Sequence, residues 1–128
     1  IDFGDAVGGR VRRLGFVPDH HLAALYAEAA VFALPSVREG FGLPVLEAMA
    51  QGAPVVVSAD PALVEVAGGA ATVVDAGDPA GWADAIGGLL DDATRSAERA
   101  AAGRARAAEH TWGATAQLTL AAYREALG

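Results

Sequence analysis

Short apolar runs alternate along this chain with stretches of helical spacing, and that alternation restricts it to a layered α/β arrangement around a parallel sheet. The run 31–34 is continuously apolar and stopped by Pro35, the pattern of a strand buried on both faces. Residues 55–57 repeat it after Pro54, residues 72–74 form a weaker candidate, and residues 11–17, ended by Pro18, read as a further strand. Asp19 is the expected N-cap of a helix with Leu22, Leu25, Tyr26 and Ala29 on one face. A short helix is expected around Pro61 and Glu65. Asp78 and Pro79 open another, with a stripe of Trp82, Ile86, Leu89 and Leu90. Residues 94–109 form an Ala- and Arg-rich helix with a narrow apolar face, and Thr111 opens a last helix carrying Trp112, Ala116, Leu120, Tyr123 and Leu127. The expected fold is a Rossmann-like, doubly wound α/β sheet.

The chemistry concentrates between the runs at 31–34 and 55–57. Glu39 and Glu47 stand eight residues apart around Gly40, Phe41, Gly42, Leu43 and Pro44. The two glycines permit conformations and close approaches that a Cβ forbids, so the N–H groups of Phe41, Gly42 and Leu43 can converge on one point. Pro44 suits the first position of a helix, where free N–H groups and the helix dipole favour phosphate. Gly52 and Pro54 stop that helix after roughly two turns. A carboxylate on the phosphate itself would be repelled. Glu39 in the loop and Glu47 one turn into the helix can instead flank a diphosphate and accept hydrogen bonds from hydroxyls. For an arbitrary pair of acids, a helix-favouring Glu47 and a solvated Glu39 is the commoner arrangement. The glycines between them and the strand before them shift the balance.

Residues 39–56 resemble the Glu-x7-Glu motif of the retaining glycosyltransferases with two-domain GT-B architecture, family 4 (glycosyl transferases group 1), and reproduce its form without a mismatch. The similarity runs through residues 11–18, Leu25, Tyr26, Pro35, Ser36, Asp78, Pro79, Thr111 and Trp112. It implies that residues 1–128 are part of a C-terminal nucleotide-sugar-binding domain, without its first two βα units and with residues 1–10 as the tail of a helix. The acceptor-binding N-terminal domain and the basic residues facing the diphosphate would then lie elsewhere, and the segment by itself would be inactive. Carried over residue by residue, Glu39 is the catalytic residue, a carboxylate lying against the donor sugar. Gly40, Phe41, Gly42 and Leu43 hold the phosphates, and Glu47 binds the ribose hydroxyls. The donor is a nucleotide-diphosphate sugar, and no metal or other cofactor is expected. The acceptor is a sugar, lipid or other hydroxyl compound. Residues 61–71 lean toward members that transfer mannose or related hexoses. Two other readings stand beside this one: a sugar-nucleotide epimerase or phosphorylase of the same architecture, and a non-catalytic nucleotide-sugar-binding module.

Composition narrows the function classes. The chain of 128 residues is 53% hydrophobic and 20% charged, which describes a globular domain with a core. A net charge of −7 opposes general nucleic-acid binding, which needs a basic surface. There is no cysteine for disulfides or thiolate metal sites, and no apolar run of membrane-spanning length. A cytoplasmic location is expected, with peripheral contact at the inner membrane face allowed. The nine basic residues are all Arg, as in a GC-rich bacterial genome. His20, His21 and His110 read as helix-end polar residues, Trp82 and Trp112 as packing anchors, Asp91 and Asp92 as a solvated turn. Arg38 is an exposed loop residue that could pair with Glu39 or with phosphate.

Overall fold

The computed structural model describes residues 9–128. In chain order these form α1 (Asp19–Glu28), β1 (Phe32–Leu34), α2 (Leu43–Gln51), β2 (Val55–Ser58), α3 (Pro61–Ala67), β3 (Thr72–Val74), α4 (Pro79–Asp91), α5 (Ala93–Ala108) and α6 (Trp112–Leu127). The strands pair in parallel in the order β1-β2-β3. Val55 lies opposite Phe32, Val57 opposite Leu34, and Ser58 opposite Val74.

β2 is the middle strand, and all four of its residues are buried. Double burial was expected of residues 31–34 as well, and there the structure differs. β1 is an outer strand among the described residues; Phe32 and Leu34 are partly buried, and Ala33 faces out. β3 repeats that pattern on the other side.

The strand expected at residues 11–17 is also absent: this segment has no ladder pairing, Gly15 is left-handed, and Phe16 is 91% exposed. A strand is held by a neighbour's N–H and C=O groups, and no described strand lies beside this one to supply them. The helix tail expected over residues 1–10 falls, for residues 1–8, outside the described residues.

The core lies between the sheet and the helices on it, with Val45, Met49, Val55, Val57, Leu63 and Val66 at its centre. α2 is its most enclosed helix. Met49 is fully buried and abuts Gly103 of α5, where an added Cβ would stand 3.1 Å from Met49 Cγ. Gly103 is thus the point at which α5 comes close enough to seal α2.

Helix ends follow their capping residues. Asp60, Asp78, Asp92 and Thr111 each accept backbone N–H bonds at the starts of α3, α4, α5 and α6. Asp92 is exposed between α4 and α5, as expected, and caps α5 as well, whereas Asp91 is the last residue of α4. Asp19 is the first residue of α1 and caps nothing; the N–H groups of His21 and Leu22 turn back to Pro18 O instead, each at 2.9 Å. Trp82 is half-buried, with Nε1 donating to Asp75 O at 2.9 Å. Trp112 is no anchor: it is 89% exposed, and no residue of α6 is buried. Leu120, Tyr123 and Leu127 of the same stripe are exposed as well.

Candidate functional site

The glycine turn between β1 and α2 lies at the carboxyl end of the parallel strands, where open α/β sheets bind ligands. Gly42 is the residue that starts α2. Its φ of 87° is left-handed, and a Cβ there would stand 2.6 Å from Leu63 Cδ2. α2 begins at Leu43, so Pro44 takes the second helical position and not the first. Val45 N–H donates to Gly42 O at 2.9 Å. Among the described residues, the N–H groups of Phe41, Gly42 and Leu43 make no turn or loop hydrogen bond. They are the free donors of a helix start, and Phe41 and Leu43 are exposed. Gly40 differs from Gly42. It has no left-handed φ, and a Cβ at Gly40 would meet nothing within 4 Å.

The two acids face different neighbours. Ser36 Oγ donates to Glu39 Oε1 at 2.6 Å, and Glu39 N–H donates to Asp60 Oδ2 at 3.4 Å, so Glu39 is tied toward the β2–α3 junction. Arg38 is exposed, and the hydrogen-bond partner of the Glu39 carboxylate is the serine. Glu47, on the exposed side of α2, receives the Tyr26 hydroxyl of α1 at 3.5 Å. Burial raises the Tyr26 pKa above its ordinary 10.0, and the Glu47 charge and hydrogen bond push it the same way. Edge-to-face packing on Phe32, 5.3 Å between ring centroids, holds the Tyr26 ring.

Three recesses adjoin these groups. A cleft of about 250 Å³ between α1 and α2 has Tyr26, Glu47 and Asp19 in its wall. A smaller one of about 130 Å³ lies against Gly40 and Phe41, with Glu65, Arg106 and His110 opposite. A largely apolar groove of about 480 Å³ runs along Phe41, Leu43, Glu47 and the exposed Trp112. Glu39 thus precedes and Glu47 follows, in the chain, one turn with free N–H groups. The structure adds Tyr26, Ser36, Ser58, Asp60 and Arg106, none of which was expected in the site. Asp60 followed by Pro61 carries a helix-start signal in the sequence. The serines have no comparable mark.

Residues 3–92 match the family described as Glycosyl transferases group 1. The chain is 44% identical over 117 residues to O-antigen chain mannosyltransferase B of Escherichia coli, covering 91% of this chain and 30% of that protein. To the D-inositol 3-phosphate glycosyltransferase of Corynebacterium diphtheriae it is 38% identical over 122 residues, 94% of this chain and 29% of that one. The chain therefore spans under a third of the length of these curated relatives. Sucrose-phosphate synthase from Thermosynechococcus elongatus superposes on 95% of it with a TM-score of 0.84 at 33% identity, using 31% of its own chain. The parallel sheet and its helices are those of the C-terminal, Rossmann-like half of a GT-B glycosyltransferase. With its family match, its glycine turn and its paired acids in that fold, the chain belongs to the glycosyl transferases of group 1.

Proposed function

We propose that these residues form the donor-binding part of a retaining glycosyltransferase, which moves a hexose of mannose type from a nucleotide-diphosphate sugar to an acceptor hydroxyl. The observation that carries this reading is the set of free N–H groups at Phe41, Gly42 and Leu43, with Glu39 and Glu47 held to different neighbours on either side. The N–H groups and the dipole of α2 take the diphosphate, which gains charge as its bond to the sugar breaks. Glu47 accepts from the ribose hydroxyls. Glu39 orients the sugar and stabilises positive charge growing at its anomeric carbon. The acceptor oxygen bonds to that carbon on the face the diphosphate leaves, and its proton passes to the departing phosphate oxygen, so configuration is retained. In this reading no metal takes part, and catalysis is charge stabilisation and positioning.

The mannose assignment is supported by the likeness to the O-antigen mannosyltransferase. The acceptor is a sugar, lipid or other hydroxyl compound. The same reading places the protein in the cytoplasm or against the inner face of the membrane; among the described residues no helix is long and apolar enough to cross it.

The test uses the full natural polypeptide that carries these residues. Glu47→Gln is expected to weaken free UDP or GDP binding about tenfold or more, since a charge-assisted hydrogen bond contributes roughly 1.5–3 kcal/mol. Glu39→Gln is expected to spare free-nucleotide affinity and lower turnover. Equal loss of nucleotide affinity in both variants would overturn this division of roles.

A further inference from the structure

Glu39 is a loop residue with a flexible side chain, yet two bonds hold it and a third holds the serine that bonds its carboxylate. Ser36 Oγ donates to Glu39 Oε1 at 2.6 Å, and the Glu39 N–H donates to Asp60 Oδ2 at 3.4 Å. Ser58, the last residue of β2 and 1% exposed, donates its hydroxyl to Ser36 O. The loop that carries Glu39 is thereby pinned to the end of the central strand. Asp60 divides its carboxylate. Oδ1 caps α3 through the N–H groups of Ala62 and Leu63, at 3.0 and 3.2 Å, while Oδ2 faces the Glu39 backbone.

We infer that Ser36, Ser58 and Asp60 are positioning residues that fix the Glu39 carboxylate before the donor arrives and leave its Oε2 for the sugar. The inference rests on the reading of Glu39 as the acid beside the donor sugar. A free glutamate would lose its rotamer freedom on meeting the transition state. Here that ordering is built into the fold, by a hydroxyl whose own backbone is clamped to a buried strand. Ser58 supports this assignment because its buried hydroxyl bonds not along the sheet but across to the loop.

The test measures release of GDP or UDP from GDP-mannose and UDP-glucose, and binding of free GDP and UDP, in the full natural polypeptide. Ser36→Ala is expected to lower kcat about 10- to 100-fold, the scale of a small misplacement. Free-nucleotide affinity should stay within about twofold. Ser36→Thr keeps the hydroxyl and should restore most of the rate. Asp60→Asn keeps the Oδ1 cap but turns an NH2 toward the Glu39 N–H, so kcat should fall there too, without loss of nucleotide binding. If Ser36→Ala fails to fold, Asp60→Asn and Ser36→Thr decide. The double variant Ser36→Ala/Glu39→Gln should be no slower than Glu39→Gln alone, because the serine acts through the carboxylate. An unchanged kcat in Ser36→Ala and Asp60→Asn, or losses that multiply in the double variant, would overturn the bracket while leaving Glu39 its role. Full turnover in Glu39→Gln would overturn the role of Glu39 itself and the bracket with it.

Discussion

Gly42 and Gly40 stand two positions apart in one turn and answer to different demands. At Gly42 the backbone is left-handed and Leu63 occupies the space of a side chain. Gly42→Ala combines a left-handed alanine with overpacking, and the two together are expected to cost about 2–5 kcal/mol, readable in chemical denaturation. Gly40 has neither constraint. Gly40→Ala should leave stability unchanged or raise it by up to about 1 kcal/mol, yet weaken binding of a nucleotide-diphosphate sugar if the diphosphate approaches that backbone. Retained affinity in Gly40→Ala would remove Gly40 from the phosphate site. Tyr26 gives a second residue-scale outcome. Its pKa is raised in the folded state, chiefly by burial and then by Glu47, so the native protein holds the phenolic proton more tightly than the unfolded chain. That stability is fully present below pH 10.0, the unfolded value, and is lost as pH rises through the folded value. Melting followed above pH 10 should decline less steeply in Tyr26→Phe than in the parent.

α5 organises the neighbouring helices by two of its arginines. Gly52 and Gly68 end α2 and α3 in left-handed conformations, and the Arg104 and Arg106 guanidinium groups fill the space where their side chains would stand. A cation at a helix C-terminus is favoured by the dipole and by the last carbonyls. Arg106 uses both: Nη2 donates to Glu65 O at 2.8 Å and Nε to Val66 O at 3.0 Å. Its ion pair with the largely exposed Glu109 adds little. Arg106→Ala is expected to destabilise by about 1–2 kcal/mol, and Arg106→Lys to recover little, because a point charge does not reproduce the forked pair of bonds. Comparing the two melting curves checks this.

The elements differ in how far the sequence reveals them. β2, β3, α2 and α4 are marked by local punctuation, a β-branched run or a Pro and Gly at the right offset. Residues 11–17 carry a similar apolar pattern, but ladder formation depends on a neighbour that no local signal supplies. Glu39 and Glu47 are legible because glycines and a helix start separate them at fixed spacing. The bonds from Glu39 to Asp60 and from Ser58 to Ser36 span 21 and 22 residues. They exist only because β1 and β2 pair side by side, a consequence of tertiary register.

At the scale of the whole molecule, a buried core stands beside apolar residues left in solvent. Met49, Leu63 and the β2 valines make a dry core, whereas Phe16, Val37, Trp112, Leu118 and Leu127 stand largely in solvent. β1 and β3 each keep one unpaired edge among the described residues. Apolar surface and open strand edges favour association with another protein surface. The polypeptide of residues 1–128, taken alone, is therefore expected to self-associate as its concentration rises, with weight-average mass in sedimentation increasing accordingly. In the proposed reading, the glycine turn offers a diphosphate N–H groups and a helix dipole within a chain of net charge −7. Each tenfold of affinity is about 1.4 kcal/mol, and a charge-assisted contact contributes roughly 1.5–3 kcal/mol, so a diphosphate held by N–H groups alone binds one or more powers of ten more weakly than one that also meets a cation. Titration of residues 1–128 with UDP, GDP and their sugars should accordingly give weak binding. Monomeric behaviour together with micromolar binding would mean that the exposed apolar surface needs no partner and that the N–H groups suffice alone, against the argument from exposed surface and charge.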